Sequence, residues 1–188
     1  MSSNTARTED IAQTNDQALQ ERLAKRIRQA SQGEQALPSW LAVEIGARSC
    51  LVPLNHASEL FPWQMPHPVP YVQPWFLGAA NLRGELTGVV DLGLFIGDAA
   101  SRRTEQSLAE CKLLTFNPVL EINVALLIDR VAGLKSVNDF STAYAPAPAD
   151  SDQQPFLGNA YRDTAGRIWR ELNLQSLSQD SRFLSIRL

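Results

Sequence analysis

Asp91 and Asp129 each follow a short apolar run with glycine close behind, in GVVDLGLFIG (88–97) and ALLIDRVAGL (125–134). Two carboxylates could share acid–base work, and Arg83 of NLRGEL (81–86) could orient an anionic substrate beside them. A plainer chemistry fits the same residues. An aspartate at a strand end accepts hydrogen bonds from the N–H groups of the following turn, worth about 1 kcal/mol. Gly97 and Gly133 would then complete the turns that Asp91 and Asp129 hold. RIWRELNL (167–174) is a weaker third copy of the pattern, with Asn173 in the aspartate's place. Neither aspartate stands in an Asp-Thr/Ser-Gly context. The only histidines, His56 and His67, make no HxH or HxxxH spacing, and Cys50 and Cys111 make no CxxC, so no metal site is expected. No phosphate loop and no G-x-S-x-G elbow is present, and the sequence asks for no cofactor. A small β-barrel enzyme or ligand-binding protein using Asp91, Asp129 and Arg83 stays open as the alternative to a non-catalytic chain.

These residues must be positioned by a chain of 188 residues, enough for one domain or two small halves sharing a core. With 44% hydrophobic and 20% charged residues the composition is that of an ordinary globular protein. A net charge of −3 argues against nucleic acid as a partner. The start MSSNTARTED lacks an apolar signal core, and the apolar runs fall far short of the roughly 18–20 residues that cross a bilayer. The expectation is a cytoplasmic protein with reduced cysteines and no direct membrane insertion.

Residues 1–36 divide into a polar, disordered tail and an amphipathic helix, NDQALQERLAKRIRQASQG, with Leu19, Leu23 and Ile27 on one stripe. Strand patterns then take over. SWLAVEIGARSCLVPL reads as a hairpin turning at Gly46-Ala47-Arg48, and NHASELF as one helical turn capped by Asn55. Pro62, Pro66, Pro68, Pro70 and Pro74 require an irregular, extended, aromatic-bearing loop. A hairpin follows over about 76–91 with Arg83-Gly84 at its tip, then a helical turn LGLFIG and a polar connector (98–110). CKLLTF and EINVALLIDRVAGLKSV form a second long hairpin about Asn117-Pro118. YAPAPADSDQQP (144–155) is a loop, and FLGNAYRD, GRIWREL and RFLSIRL are closing strands. Short strands with turn signals indicate an all-β fold with minor helices. Trp63, Tyr71, Trp75 and Phe76 near the proline loop, with an arginine on a hairpin, are residue types that dominate protein–protein contacts.

GAANLRGELTGVVDLGLFIG resembles the signature of CheW-like domains, a Gly–apolar–apolar–Asn-Leu-Arg-Gly strand turning into one that ends apolar–apolar–Asp-Leu. Asn81, Leu82, Arg83, Gly84, Asp91, Leu92, Asp129, Val131 and Gly133 all fall in register, and the likeness extends over most of 38–188. The resemblance implies a CheW-like domain over 37–188, built as two intertwined SH3-like five-stranded β-barrels. It implies a non-catalytic adaptor that couples a methyl-accepting chemoreceptor's cytoplasmic tip to a CheA-type histidine kinase in membrane-associated receptor arrays. On this likeness Asn81, Arg83, Gly84 and Glu85 are partner-binding. Gly88 and Gly93 depart from the family's usual proline and basic residue. The N-terminal helix and RFLSIRL are similar to the PilI branch, which serves type IV pilus (twitching) motility.

Overall fold

A computed structural model of the protein describes residues 39–97, 103–144 and 154–188. The tail and helix expected over 1–36, and most of the 144–155 loop, lie outside the described residues. In chain order the strands are β1 (Ser39–Ile45), β2 (Arg48–Pro53), β3 (Ala57–Pro62), β4 (Phe76–Leu82), β5 (Glu85–Val90), β6 (Lys112–Phe116), β7 (Val124–Ile128), β8 (Arg130–Ser136), β9 (Phe140–Tyr144), β10 (Leu157–Asp163) and β11 (Ile168–Leu172). Short helices are α1 (Leu92–Phe95), α2 (Glu105–Glu110), α3 (Leu174–Ser178) and α4 (Ser181–Leu184).

The strands form two sheets, ordered β8-β1-β2-β11-β10-β9 and β3-β6-β7-β5-β4. Taken without β9, the two orders match strand for strand. The hairpin β1–β2 corresponds to β6–β7, the parallel pair β2–β11 to β7–β5, and the closing hairpin β10–β11 to β4–β5. The chain is thus a duplicated unit in which each sheet takes its first two strands from one half and three from the other. FLG recurs at the start of both closing hairpins, at 76–78 and 156–158. The halves are intertwined as the resemblance implied. One sheet has the expected five strands, and the other gains β9 at its edge.

Three apolar clusters follow from this arrangement. The central one lies between the sheets and takes Leu41, Val43 and Ile45 of β1, Cys50 and Val52 of β2, Leu114 and Phe116 of β6, and Leu126 and Ile128 of β7. The opposite faces of the same strands supply two smaller cores, Leu113, Ala125 and Leu127 in one sheet and Trp40, Ala42, Leu51 and Trp169 in the other. Strands buried on both faces lose their alternation, and Ala125–Ile128 is buried at every position.

Several local expectations give way to tertiary pairing. From Ala57 on, NHASELF forms β3, which runs to Pro62, and not a helical turn, because β6 pairs along it. The Asn117 side-chain amide donates to the Asn55 carbonyl at 3.0 Å and holds the entry to that strand. The run 121–137 is not one strand. It breaks at Asp129, where the chain leaves one sheet as β7 and enters the other as β8. RFLSIRL is not a strand either: Asp180 accepts from the Arg182 and Phe183 N–H groups and caps α4, which drives Phe183 into stacked contact with Trp75 and Phe116. The connector contains α2, capped by Thr104.

The proline loop is irregular and extended, as its composition required, and it covers the edge of β4. His67 exchanges both backbone hydrogen bonds with Ala79, at 2.8 and 2.9 Å. That approach depends on Gly78, at φ +131, where a Cβ would stand 2.1 Å from the His67 carbonyl oxygen. At its far end Gln73 N–H donates to Ile186 O at 2.8 Å and ties the loop to the C-terminal segment.

Candidate functional site

Arg83 and Gly84 are the two central residues of the β4–β5 turn, both at positive φ, +54 and +91. This is the twist that suits a two-residue hairpin, and asparagine or glycine usually provides it. Asn81 stands just outside instead, its side-chain oxygen accepting from Gly84 N–H at 2.7 Å. Arg83 is held in a left-handed conformation and its side chain is 65% exposed. Its guanidinium reaches Glu59 of β3 at 2.8 Å and lies over the Phe61 ring at 5.6 Å. The arginine is therefore tied and presented at once. Glu85, beside it, is exposed. A groove of about 490 Å³ opens between this tip and the β6–β7 turn, lined by Glu59, Phe61, Arg83, Glu85, Glu121 and Ile122 among others. Leu86 (70% exposed) and Val119 (82% exposed) leave apolar surface on the same two turns.

Asp91 and Asp129 do come together, but through a residue that sequence reasoning missed. Arg103 donates to Asp91 through Nη1 and to Asp129 through Nε and Nη2. Its side chain is 8% exposed and that of Asp91 3%. Burial alone would lower the Arg103 pKa, but its hydrogen bonds to both carboxylates, and their charges, outweigh it and hold the proton more tightly. Asp91 also accepts from Leu94 N–H at 3.2 Å as the cap of α1, and Asp129 accepts from Gly46 N–H in the β1–β2 turn at 2.6 Å. The cluster thus joins α1, the β7–β8 crossover and a turn of the other sheet. Every side-chain oxygen of Asp91 and Asp129 has a donor, so both carboxylates are engaged in holding these turns and Arg103. Arg103, the second arginine of SRRTEQ in a polar connector, stands in no motif that marks it as this partner. Asn173 caps α3 by accepting from Ser176 N–H at 3.0 Å, the place that Asp91 holds at α1. Gly97 lies at φ +82 after α1, and Gly133 at φ +118 beside the register shift between β1 and β8.

The remaining candidates stay apart. Burial pushes the Cys50 thiol up to about 12, against the opposing charges of Arg48 and Arg170. Burial, with the Asp129 carboxylate nearby, pushes Cys111 up to about 11, so both thiols are poor nucleophiles. His56 is pushed below its usual value by burial, which the Glu171 charge opposes, and His67, exposed, meets the edge of β4 through its backbone. Among the described residues no group of three His, Cys, Asp or Glu gathers to hold a metal, and no helix is long and apolar enough to cross a membrane.

Residues 39–182 match the model of the CheW-like domain. Over 157 residues the chain is 26% identical to protein PilI of Pseudomonas aeruginosa, covering 81% of this chain and 83% of that one. Among solved structures it is similar in fold to the scaffolding protein TtCheW from Thermoanaerobacter tengcongensis. The TM-score is 0.61 at 14% identity, with 75% of this chain and 87% of that one covered. The duplicated, intertwined sheets agree with that match. The chain belongs to the CheW-like domain family, and it is a non-catalytic adaptor of chemotaxis-type signalling.

Proposed function

We propose that the chain couples a methyl-accepting chemoreceptor's cytoplasmic tip to a CheA-type histidine kinase, and that the system it serves drives type IV pilus motility. The observation that carries the receptor half is the Arg83 tip. An exposed guanidinium is preset by Glu59 and Phe61 on a rigid hairpin, beside a groove with apolar and acidic walls. Arginine presented in this way loses little conformational freedom on binding and donates in a fixed fork. Asn81 and Gly84 shape the turn, and Glu85 adds a second charge beside the arginine. The pilus assignment rests on the likeness to PilI. The protein works in the cytoplasm and reaches the membrane only through the receptor.

The test is co-purification of the tagged chain with the kinase and the receptor from its own host. Arg83→Glu is expected to lose the receptor while keeping the thermal midpoint of the parent. Twitching zones on agar should shrink in a host carrying only that variant. Retention of receptor by Arg83→Glu would remove the tip from the interface, and swimming defects without twitching defects would move the chain to a flagellar pathway.

A further inference from the structure

The hairpin β10–β11, which matches β4–β5 in the duplicated fold, also carries an arginine at its tip, and its side chain is held by a ring and a carboxylate as that of Arg83 is, though on other strands and without the left-handed backbone. Arg167 lies over the ring of Trp169 at 5.0 Å, as Arg83 lies over Phe61. It reaches Glu44 of β1 at 2.8 Å, as Arg83 reaches Glu59. Its side chain is 46% exposed. The backbone beneath it is fixed by Asp163, which accepts from the N–H groups of Ala165 and Arg167 and from the Trp169 indole. Ile168, next in sequence, leaves apolar surface 48% exposed.

The two tips differ in charge. Around Arg83 stand Glu59, Glu85 and Glu121, three carboxylates to one guanidinium. Around Arg167 the balance is reversed. Arg130 of β8, its side chain 69% exposed, also reaches Glu44, at 3.3 Å, so two guanidiniums flank one carboxylate. The Asp163 charge has Lys135 near it. An ion pair on the surface contributes little to stability, so the two arginines on Glu44 can turn to a partner's carboxylates at little cost to the fold. A preset pair of guanidiniums matches carboxylates bidentately.

We propose that the β10–β11 tip, with Arg167 and Arg130, is a second docking point, and that it takes an acidic segment of a protein partner. It is separate from the Arg83 tip and opposite to it in charge preference. The adaptor then carries an arginine-bearing hairpin tip on each sheet, for two different partners. This rests on the adaptor reading above, and the experiment separates the two.

The full chain, Arg83→Glu, the double variant Arg130→Glu/Arg167→Glu and the double variant Arg130→Lys/Arg167→Lys are each titrated with purified kinase and with the receptor's cytoplasmic fragment. A short DNA duplex serves as a generic polyanion, at low and moderate salt. The expected result is that the double reversal weakens one of the two proteins at least tenfold at low salt, with a flattened salt dependence. The other protein and the thermal midpoint stay unchanged, and the lysine pair recovers only part of the binding. Arg83→Glu should spare the protein that the double reversal loses. The proposal is overturned if the double reversal binds both proteins as the parent does, or if both reversals lose the same protein. It is also overturned if the duplex binds the parent as tightly as the protein partner and is lost with the same charges. If the parent binds neither protein, the adaptor reading fails first and the second tip falls with it.

Discussion

Two arginines show how burial decides what a charge is for. Arg103 and Arg83 both touch carboxylates, yet one is 8% and the other 65% exposed. Arg103→Met would leave Asp91 buried without its counter-charge, and is expected to cost roughly 3–5 kcal/mol in urea unfolding. Arg83→Ala should cost under about 1 kcal/mol by the same measurement, because solvent already screens its pair. The thiols give a pH signature. Cys50 and Cys111 hold their protons in the folded chain to about 12 and about 11, above the ordinary value of 9.0. The unfolded chain therefore releases protons first as pH rises past that ordinary value. The stability these thiols contribute is complete below it and fades toward the higher folded values. Thiol reagents at mildly alkaline pH should label neither cysteine in native protein and both after denaturation. Rapid native labelling would contradict their burial.

At the level of elements, the proline loop and the turns make separable contributions. Gly78→Ala places a methyl against the His67 carbonyl at a φ that alanine rarely adopts, so the loop must detach from β4 or the strand must shift. The expected outcome is a loss of about 2 kcal/mol or more, with faster proteolysis within 63–74. Unchanged proteolysis would mean that the loop is held elsewhere. The acid side tests the turns. The Trp169 indole holds the Asp163 carboxyl below its usual value against the opposing effect of burial, helped by the backbone N–H groups of Arg167 and Ala165. Hydrogen bonds from Ser136, first its backbone and then its hydroxyl, do the same for Asp139. These groups release protons more readily folded than unfolded. Their contribution is present above the ordinary carboxylate value near 3.8 and is lost as pH falls through the lower folded values. Tryptophan fluorescence followed from about pH 6 to 2 should show this loss, and Asp163→Asn should flatten it.

For the molecule as a whole, intertwining has a consequence for folding. Residues 39–97 contain β1–β5, but β1 and β2 pair with strands from the second half, and β3 and β5 pair with β6 and β7. Neither half holds a complete sheet, and the central core needs both. Residues 39–97 and 103–188 expressed separately are expected to show no cooperative thermal transition, and to recover one when co-expressed. A cooperative transition in either half alone would show that its strands suffice. Because the pairings are distant in sequence, the intact chain should also fold slowly for its size.

Much of the chain was legible from its residues because local chemistry and tertiary context agreed there. Alternation at Leu41, Val43 and Ile45, Gly84 at the hairpin tip, proline density over 62–74 and Asp91 before LGLF all specify local geometry that survives in the fold. The CheW-like register of NLRG and the two aspartates carried the family. The tertiary structure alone decided the rest. Residues 57–62 became β3 since β6 offered a ladder, and 121–137 broke at Asp129 since each part paired in a different sheet. The same crossing brought Arg103 between two aspartates distant from it in sequence. Sequence reports what each segment can do alone, whereas charge pairing and sheet membership depend on which segments the intertwined chain brings together.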